Sequence, residues 1–338
     1  MKQSVFLGGF AVAVTLAGAV NAGTLDDVRA RGVLKCGVNT GMTGFAMADA
    51  NGRWDGFDAS FCRAVASAVL ADPEAVEFVP TNGKTRFTSL TSGEVDLLAR
   101  NTTWTFTHDV DQDFDFVGVN YYDGQGFMVP KALGVTSAKD LNGAAVCIET
   151  GTTTELNLAD FFRSNNMDYK PIPVDEMADA QRKYQDGACD VYTADASGLA
   201  ATRATFEAPS DHVILPEIIS KEPLGPLVRQ GDDSWGDIVR WTLNALIAAE
   251  ELGITSANIE ELSKGTNSPE INRILGVEGD FGAMMDLDPE WAKRAIMVGG
   301  NYGEIFARNI GEDTPVGLAR GLNAQWKDGG LIYAPPFR

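Results

Sequence analysis

The sequence predicts an α/β protein of two lobes, each built around its own mainly parallel sheet, and three observations support this fold class. Short apolar segments alternate with segments whose apolar residues recur at helical spacing, which is the pattern of right-handed βαβ units. Two short sequence patterns occur twice, in the same order along the chain. The 316 residues that follow the first 22 (338 minus 22) are enough for two hydrophobic cores at roughly 150 residues each.

The first 22 residues have the pattern of a signal peptide. Lys2 gives a positive start, an apolar core runs from Val5 to Val20, and Val20-Asn21-Ala22 is a small-residue cleavage site. We therefore expect an exported protein that is cleaved after Ala22. Later apolar runs are interrupted by charged residues before they reach the length of a membrane span.

Two sequence patterns recur along the chain. A glycine four residues before a cysteine, in a short apolar strand followed by a polar turn, occurs in Arg31–Gly41 and in Asn142–Gly151. A glycine at a helix end, followed by an aspartate that opens an apolar strand, occurs in Ser92–Ala99 and in Asp186–Thr193. The matching order predicts one α/β lobe that is repeated, with chance similarity of short glycine-containing strands as the alternative.

Helices are predicted between these strands and after them. The periodic apolar segments lie at Asp58–Leu70, Thr85–Thr91, Leu156–Phe162, Ala178–Tyr184 and Asp237–Glu251. Asp58 is a candidate N-cap residue for the first of them. The alternation of strand and helix continues through both repeats.

The chain is expected to cross between the lobes twice, through extended segments at Tyr121–Val129 and Ile219–Arg229. Lobe one then comprises residues 23–125 and 225–338, and lobe two comprises residues 126–224. Two crossings make a hinge, and the carboxyl ends of the strands face each other across a cleft. Residues 265–338 extend beyond this minimal plan, and the sequence assigns them no role.

The four cysteines indicate disulfide bonds, because the protein is expected to be exported. Three pairings are possible for four cysteines, and buried free thiols are the alternative. The repeated patterns favour Cys36–Cys62 in lobe one and Cys147–Cys189 in lobe two. With two histidines and no CxxC pattern, the sequence predicts no metal site.

Charge and motif content exclude several ligands. The formal net charge of −20 argues against nucleic acids and against anionic membrane surfaces. The segment CIETGTTTEL reads as a strand, a glycine turn and a helix start, which is an anion site. No lysine follows the turn, so a carboxylate is a better candidate there than the phosphate of a nucleotide, and no cofactor is expected.

Four segments follow predicted strands and should therefore face the cleft. They are Asn39–Phe45, Arg100–His108, the glycine turn with Thr152 and Thr153, and Asp195. Phe45 is either an apolar wall for a ligand or a core residue. The Arg100–His108 run could also be a solvated loop. Helix N–H groups, hydroxyls, a carboxylate and the arginines at positions 86 and 100 together suit a zwitterion.

Almost all of the mature sequence resembles the periplasmic amino-acid-binding proteins of bacterial ABC importers. The branch that serves glutamate, glutamine, aspartate and asparagine, or general L-amino-acid uptake, is the most similar. The segments that carry the resemblance are Gly56–Asp58, Thr85–Asp96, Arg100–Thr105, Gly151–Glu155, Asp190–Ser197 and Gly321–Trp326. The resemblance implies the two-lobed fold of periplasmic binding proteins, with a two-strand hinge.

Residue roles follow from the same resemblance. Asp195 matches the position that binds the α-amino group, and Thr103 and Thr153 match positions around the α-carboxylate. Arg86 matches an arginine that contacts the ligand in relatives with acidic ligands, and Asn101 falls on a contact position.

The sequence departs from the family pattern at two positions. Many relatives have an arginine that clamps the carboxylate where this chain has His108, so either His108 donates a weaker hydrogen bond or Arg100 provides the clamp. Asn39 stands where an acidic-ligand relative has a second arginine, which favours a broad polar specificity. The predicted binding set is Asn39, Phe45, Arg86, Arg100, Asn101, Thr102, Thr103, His108, Thr152, Thr153 and Asp195.

The leading hypothesis is a periplasmic, monomeric binding protein without catalysis, which closes over a polar L-amino acid and delivers it to an ABC permease. An enzyme on the same fold, such as a dehydratase or a cell-wall lytic domain, would need a general acid or base in the cleft. Asp195 is the one convincing candidate for that role. An extracellular sensor domain is the third alternative, although the sequence contains no transmembrane, kinase or DNA-binding segment.

Overall fold

The computed structural model describes residues 23–338, so the expected signal peptide and its cleavage site lie outside the described residues. The α-helices are α1 Thr24–Arg31, α2 Phe57–Leu70, α3 Arg86–Thr91, α4 Thr153–Ser164, α5 Met177–Gln185, α6 Ala196–Ala204, α7 Asp233–Glu251, α8 Ile259–Leu262, α9 Pro269–Ile274, α10 Phe281–Met284, α11 Trp291–Gly299 and α12 Tyr302–Asn309. In the part of the chain that is described, no helix combines the length and the apolar character needed to cross a membrane.

The strands form two five-stranded sheets and two small pairs. They are β1 Leu34–Asn39, β2 Met47–Ala48, β3 Trp54–Asp55, β4 Val76–Thr81, β5 Leu97–Leu98, β6 Phe114–Phe116, β7 Tyr121–Asp123, β8 Gln125–Pro130, β9 Ala145–Glu149, β10 Lys170–Val174, β11 Val191–Asp195, β12 His212–Ile214, β13 Glu222–Leu224 and β14 Leu227–Arg229. The sheet of lobe one has the order β4-β1-β5-β14-β6, and the sheet of lobe two has the order β10-β9-β11-β8-β12.

Each sheet is mixed, which corrects the expectation of mainly parallel sheets. In both, the second strand of the order, β1 or β9, pairs in parallel with its two neighbours, and the other two pairings are antiparallel. The antiparallel strands β8 and β14 directly follow the crossings between the lobes. Because no crossover helix precedes them, nothing forces them to run parallel to their neighbours.

The predicted repeat is confirmed by matching hydrogen bonds. In lobe one, the Asp96 carboxylate accepts a hydrogen bond from the backbone N–H of Lys35 at 2.7 Å. In lobe two, the Asp190 carboxylate accepts one from the N–H of Ala145 at 2.8 Å. Each aspartate therefore joins the strand that follows it, β5 or β11, to the equivalent neighbouring strand, β1 or β9, in the same way.

The two lobes are connected by strands β7 and β13, which pair antiparallel and place Glu222 opposite Asp123. The Asn323 side chain accepts from the N–H of Tyr122 at 2.6 Å and donates to its C=O at 3.1 Å. The C-terminal segment is thus attached directly to a hinge strand. The expected boundary at residues 224/225 directly follows β13, whereas the expected boundary at residues 125/126 falls inside β8.

Both predicted disulfides are present, Cys36–Cys62 and Cys147–Cys189. They close loops with sequence separations of 26 and 42 residues. Loops of this size correspond to stabilisation of roughly 3.5 and 4 kcal/mol, mainly by restricting the unfolded chain.

The C-terminal extension completes the core of lobe one. Trp291 on α11 and Phe337 near the chain end are both buried in the same cluster as β1 and α2. Helix α11 lies along α2, where the Ser67 hydroxyl donates to the C=O of Arg294 at 3.2 Å. Lobe one therefore requires this extension for its packing.

Helix α2 begins one residue earlier than expected, at Phe57, and Asp58 does not cap it. The Asp58 side chain is buried and faces the Asn120 amide at 3.5 Å. Gly56 takes the N-cap position with φ of 130°, where an added Cβ would lie 2.3 Å from the Phe45 carbonyl oxygen. Close backbone packing, and not a side-chain cap, determines this helix start.

Candidate ligand-binding cleft

A cavity lies between the lobes, at the carboxyl ends of strands from both sheets. Its volume is about 60 Å³. Its lining residues are Asn39, Met42, Arg86, Arg100, Asn101, Thr103, Glu149, Thr152, Thr153, Thr154, Met177, Tyr192, Thr193, Ala194, Asp195 and Gly198.

Strand ends position most of these side chains. Asn39 is the last residue of β1, Glu149 is the last of β9, and Asp195 is the last of β11. The loop after β5 supplies Arg100 to Thr103, and Thr153 begins helix α4. Because parallel strands end at the same edge of a sheet, residues that are distant in sequence meet at one point.

The lobes contact each other around the cavity. The Glu149 carboxylate of lobe two accepts from the N–H of Gly83 at 2.9 Å and lies 3.3 Å from the Arg100 guanidinium. The Asn82 amide donates to Glu176 at 2.6 Å. Polar contacts between the lobes therefore surround the cavity, as in a closed cleft.

Asp195 is the acidic pole of the cavity. Its Oδ1 atom is buried and has no hydrogen-bond partner. Burial raises the pKa of Asp195 well above its usual range, and the nearby carboxylates of Asp123 and Glu222 raise it further. An ammonium group would satisfy the unpaired oxygen and restore the charged form of the carboxylate.

Two buried arginines form the basic pole. The Nε of Arg86 is buried without a partner, and one of its terminal nitrogens donates to the Thr102 hydroxyl at 3.4 Å. Burial, and secondarily the charge of Arg100, lowers the pKa of Arg86 to about 9. Arg100 donates to the C=O of Thr81 at 3.0 Å. The Arg86 guanidinium therefore remains cationic at neutral pH, and both guanidinium groups can bind a carboxylate.

Two asparagines add neutral groups. Asn101 has a positive φ of 45°, a conformation that asparagine tolerates better than most residues, and its Oδ1 is buried without a partner. Asn39 accepts from the N–H of Gly41 at 3.3 Å, which leaves its amide nitrogen to donate. The cavity thus has unused acceptors at Asn101 and Asp195 and an unused donor at Arg86.

The start of α4 is partly occupied by the chain itself. The Glu155 carboxylate accepts from the N–H of Gly151 at 3.2 Å, and the Thr152 hydroxyl donates to the C=O of Glu149 at 2.8 Å. The glycine turn therefore offers fewer free groups to an anion than the sequence suggests. Within residues 23–338, no cluster of His, Cys, Asp or Glu could hold a metal ion.

Three residues of the predicted set do not line this cavity. Phe45 is fully buried in the core, edge-on to Phe57 and Tyr121 at 6.0 and 5.8 Å between ring centroids, so it is not an apolar wall. Thr102 is buried beneath Arg86. His108 lies in a neighbouring groove, where its Nδ1 donates to the C=O of Thr103 at 2.8 Å. Burial lowers the pKa of His108 from its ordinary value.

Several lining residues were missed from the sequence. Glu149 ends a predicted strand inside CIETG, so the strand-end argument could have found it. Met42, Met177 and Tyr192 carry no sequence signal that separates them from core residues.

The fold and the cavity define a class of protein: two α/β lobes joined by two hinge strands, with a small polar cavity between them. Residues 34–257 match the model of the bacterial extracellular solute-binding proteins, family 3, and the chain belongs to this family.

Named relatives are similar along their whole length. The chain is 63% identical over 338 residues to the glutamate/glutamine/aspartate/asparagine-binding protein BztA of Rhodobacter capsulatus, covering 100% of both chains. It is 57% identical over 332 residues to the general L-amino acid-binding periplasmic protein AapJ of Rhizobium johnstonii, covering 98% of this chain and 97% of that protein.

A solved structure has the same fold throughout. The ABC transporter/periplasmic binding protein from Brucella ovis with glutathione bound is 55% identical, with a TM-score of 0.91. The match covers 94% of this chain and 100% of that one.

Proposed function

We propose that this protein captures a polar L-amino acid by closure of its lobes and delivers it to an ABC permease in the membrane. One observation carries the proposal: the buried cavity pairs an unsatisfied carboxylate oxygen on Asp195 with an unsatisfied guanidinium nitrogen on Arg86. An amino acid is the small solute that supplies both complementary charges.

In this proposal the ligand's ammonium group binds Asp195 and Asn101, its α-carboxylate lies towards Arg100, and an acidic or amide side chain lies towards Arg86. Arg100 lines the cavity whereas His108 does not, which supports Arg100 as the carboxylate clamp. Glu149 of lobe two lies 3.3 Å from the Arg100 guanidinium, so that arginine is held at the cavity when the lobes are together.

The relatives' names agree with this proposal, since BztA and AapJ are both named as amino-acid-binding proteins. We propose a range that includes Glu, Gln, Asp and Asn and extends to further L-amino acids, for a monomeric protein without catalytic activity. We also propose a periplasmic location after cleavage of the signal peptide behind Ala22.

The decisive experiment is calorimetric titration of the mature protein against the twenty L-amino acids, after unfolding and refolding to remove carried-over ligand. One-to-one binding of Glu, Gln, Asp or Asn is the expected result. No binding across the panel would contradict the proposal and give weight to an enzyme that uses Asp195.

Ligand affinity should fall as the pH decreases. Asp195, which faces Asp123, Glu222, Arg86 and Arg100, has a raised pKa, and a bound ammonium favours its charged form. Binding to the protonated form therefore releases a proton, so affinity decreases by up to about tenfold per pH unit below the pKa of free Asp195. Titrations from pH 8 to pH 5, in buffers with different ionisation enthalpies, should detect the released proton; pH-independent affinity would exclude this coupling.

A short peptide is the second candidate ligand, and a groove beside the cavity favours it. This outer groove has a volume of about 580 Å³. Thr152 and Thr153 line both the outer groove and the cavity. Lobe one contributes Lys84, Phe87 and His108, and lobe two contributes Leu156. The Brucella ovis relative has glutathione bound, which supports a ligand longer than one amino acid.

The peptide candidate can be tested separately. Leu156 is 71% exposed in the outer groove, so Leu156→Trp should narrow the groove. The variant should bind glutathione about tenfold more weakly and bind glutamate with unchanged affinity. Leu133→Trp is the matched control, because Leu133 is an exposed leucine of lobe two outside the groove. Failure of the unmodified protein to bind glutathione would remove this candidate without affecting the first.

A further inference from the structure

Glu222 lies on hinge strand β13, and its side chain is buried although it is a carboxylate. One oxygen accepts from the hydroxyls of Thr103 at 2.5 Å and Thr153 at 3.1 Å. The other accepts from the Asn157 amide and the Ser220 hydroxyl, both at 2.6 Å. An ionised carboxylate has about four acceptor positions, so these donors use all of them.

The four donors come from different parts of the molecule. Thr103 belongs to lobe one, Thr153 and Asn157 belong to helix α4 of lobe two, and Ser220 belongs to the second crossing between the lobes. Among residues 23–338, no lysine or arginine forms an ion pair with Glu222. A buried carboxylate is costly without a cation, so the four hydrogen bonds compensate for its desolvation only when the lobes are together.

The same hydrogen bonds determine which groups the two threonines offer to a ligand. A hydroxyl has one proton, and Thr103 and Thr153 each donate that proton to Glu222. Their oxygens lie 3.3 Å apart at the cavity wall, with lone pairs left over. The threonines can therefore accept hydrogen bonds from a ligand but cannot donate to it.

We propose that Glu222 is a specificity-determining residue: it holds the lobes closed and makes Thr103 and Thr153 acceptors for N–H groups of the ligand. The second part rests on the proposed function. It differs from the role around the α-carboxylate that family resemblance implies for these threonines. Thr103, Thr153 and Asp195 all line the cavity, as do the two arginines, so the cavity contains acceptors for an ammonium group and donors for a carboxylate.

The closure part is tested with Glu222→Gln, in which an amide nitrogen must face two donors. Small-angle X-ray scattering, without ligand and with saturating glutamate, should show a larger radius of gyration for the variant than for the unmodified protein. Glutamate affinity should fall at least tenfold. Glu217→Gln is the matched control, because Glu217 accepts from Ser137 and from the N–H of Ala138 outside the cavity.

Asn157→Ala provides a milder variant if Glu222→Gln does not fold, since it removes one bond to lobe two and leaves the cavity lining intact. The Asn157→Ala variant should bind glutamate about threefold to tenfold more weakly than the unmodified protein. Equal scattering curves and equal affinity for these variants and the unmodified protein would overturn the closure role. The scattering without ligand tests that role even if the protein binds no amino acid.

The acceptor part is tested with Thr153→Val, which removes the hydroxyl and keeps the shape. Competition titrations should show two effects. Glutarate, which lacks the ammonium group, should bind about threefold to tenfold more weakly, as for Asn157→Ala, because one hydrogen bond to Glu222 is lost. Glutamate should lose about a further tenfold in affinity. Equal losses for both compounds would mean that the Thr153 hydroxyl makes no contact with the ammonium group and would overturn the assignment. Absence of glutamate binding by the unmodified protein would instead count against the proposed function.

Discussion

Asp195→Ala is expected to weaken amino-acid binding by roughly 3–5 kcal/mol, or about 150- to 5,000-fold. The variant leaves a buried ammonium group without its counter-charge, since the unpaired oxygen of Asp195 is the acidic group best placed for it. Calorimetric titration of the purified variant measures the loss directly.

The same variant should not lose stability in the absence of ligand. Asp195 is buried beside Asp123 and Glu222, and all three groups are acidic. Removing one of them relieves repulsion and desolvation, so the thermal midpoint without ligand should stay equal or rise. Lost binding together with a lowered midpoint would indicate misfolding. Asp160→Ala, at an exposed position on α4, is the control for a lost aspartate.

Arg86→Met is expected to weaken glutamate and aspartate by roughly 3 kcal/mol, or about 150-fold, and alanine or leucine by less than tenfold. The guanidinium is buried and has an unpaired nitrogen at the cavity, so it suits an acidic side chain or carboxylate. Methionine keeps an apolar stem against Phe87, over whose ring the guanidinium lies at 4.6 Å. The measurement is the ratio of affinities across the four ligands.

Arg63→Met is the matched control for this substitution. Arg63 is also buried, and its guanidinium lies 5.2 Å from the ring centroid of Phe78, but it does not line the cavity. The Arg63→Met variant should bind glutamate, aspartate, alanine and leucine with affinities within twofold of those of the unmodified protein. If Arg86→Met weakened every ligand equally, Arg86 would be a general clamp or a structural residue and not a selector of acidic ligands.

Much of the architecture could be predicted because its signals are local. The helical period of residues 58–70 and 237–251 corresponds to α2 and α7. The repeated glycine, cysteine and aspartate patterns correspond to equivalent strands in the two sheets and to the two disulfides. Strand direction was predicted less well, because direction depends on how the crossings return to each sheet.

The site was predicted as segments more reliably than as side chains. The strand-end argument brought Asn39, Arg100 and Asp195 to one cavity, with Arg86 and Asn101 beside them. It could not separate neighbours such as Thr102 and Thr103, because successive side chains in an extended segment point in opposite directions. Phe45 and His108 were assigned to the cleft because the argument places whole segments there. Phe45 lies in a turn and His108 in a short helical turn, and neither side chain reaches the cavity.

The sequence by itself therefore determined the fold class, the repeat, the disulfide pairing and the segments that end at the cleft, all from residue types at short spacing. Only the tertiary structure decided which carboxylates matter around the ligand. In the sequence Glu222 looks like an ordinary surface glutamate, and Glu149 is marked only as the end of a predicted strand. In the structure Glu149 holds Arg100, and Glu222 accepts hydrogen bonds from both lobes. Their roles arise from burial and from partners that are 49 to 119 residues away in the chain, and no local pattern encodes such contacts.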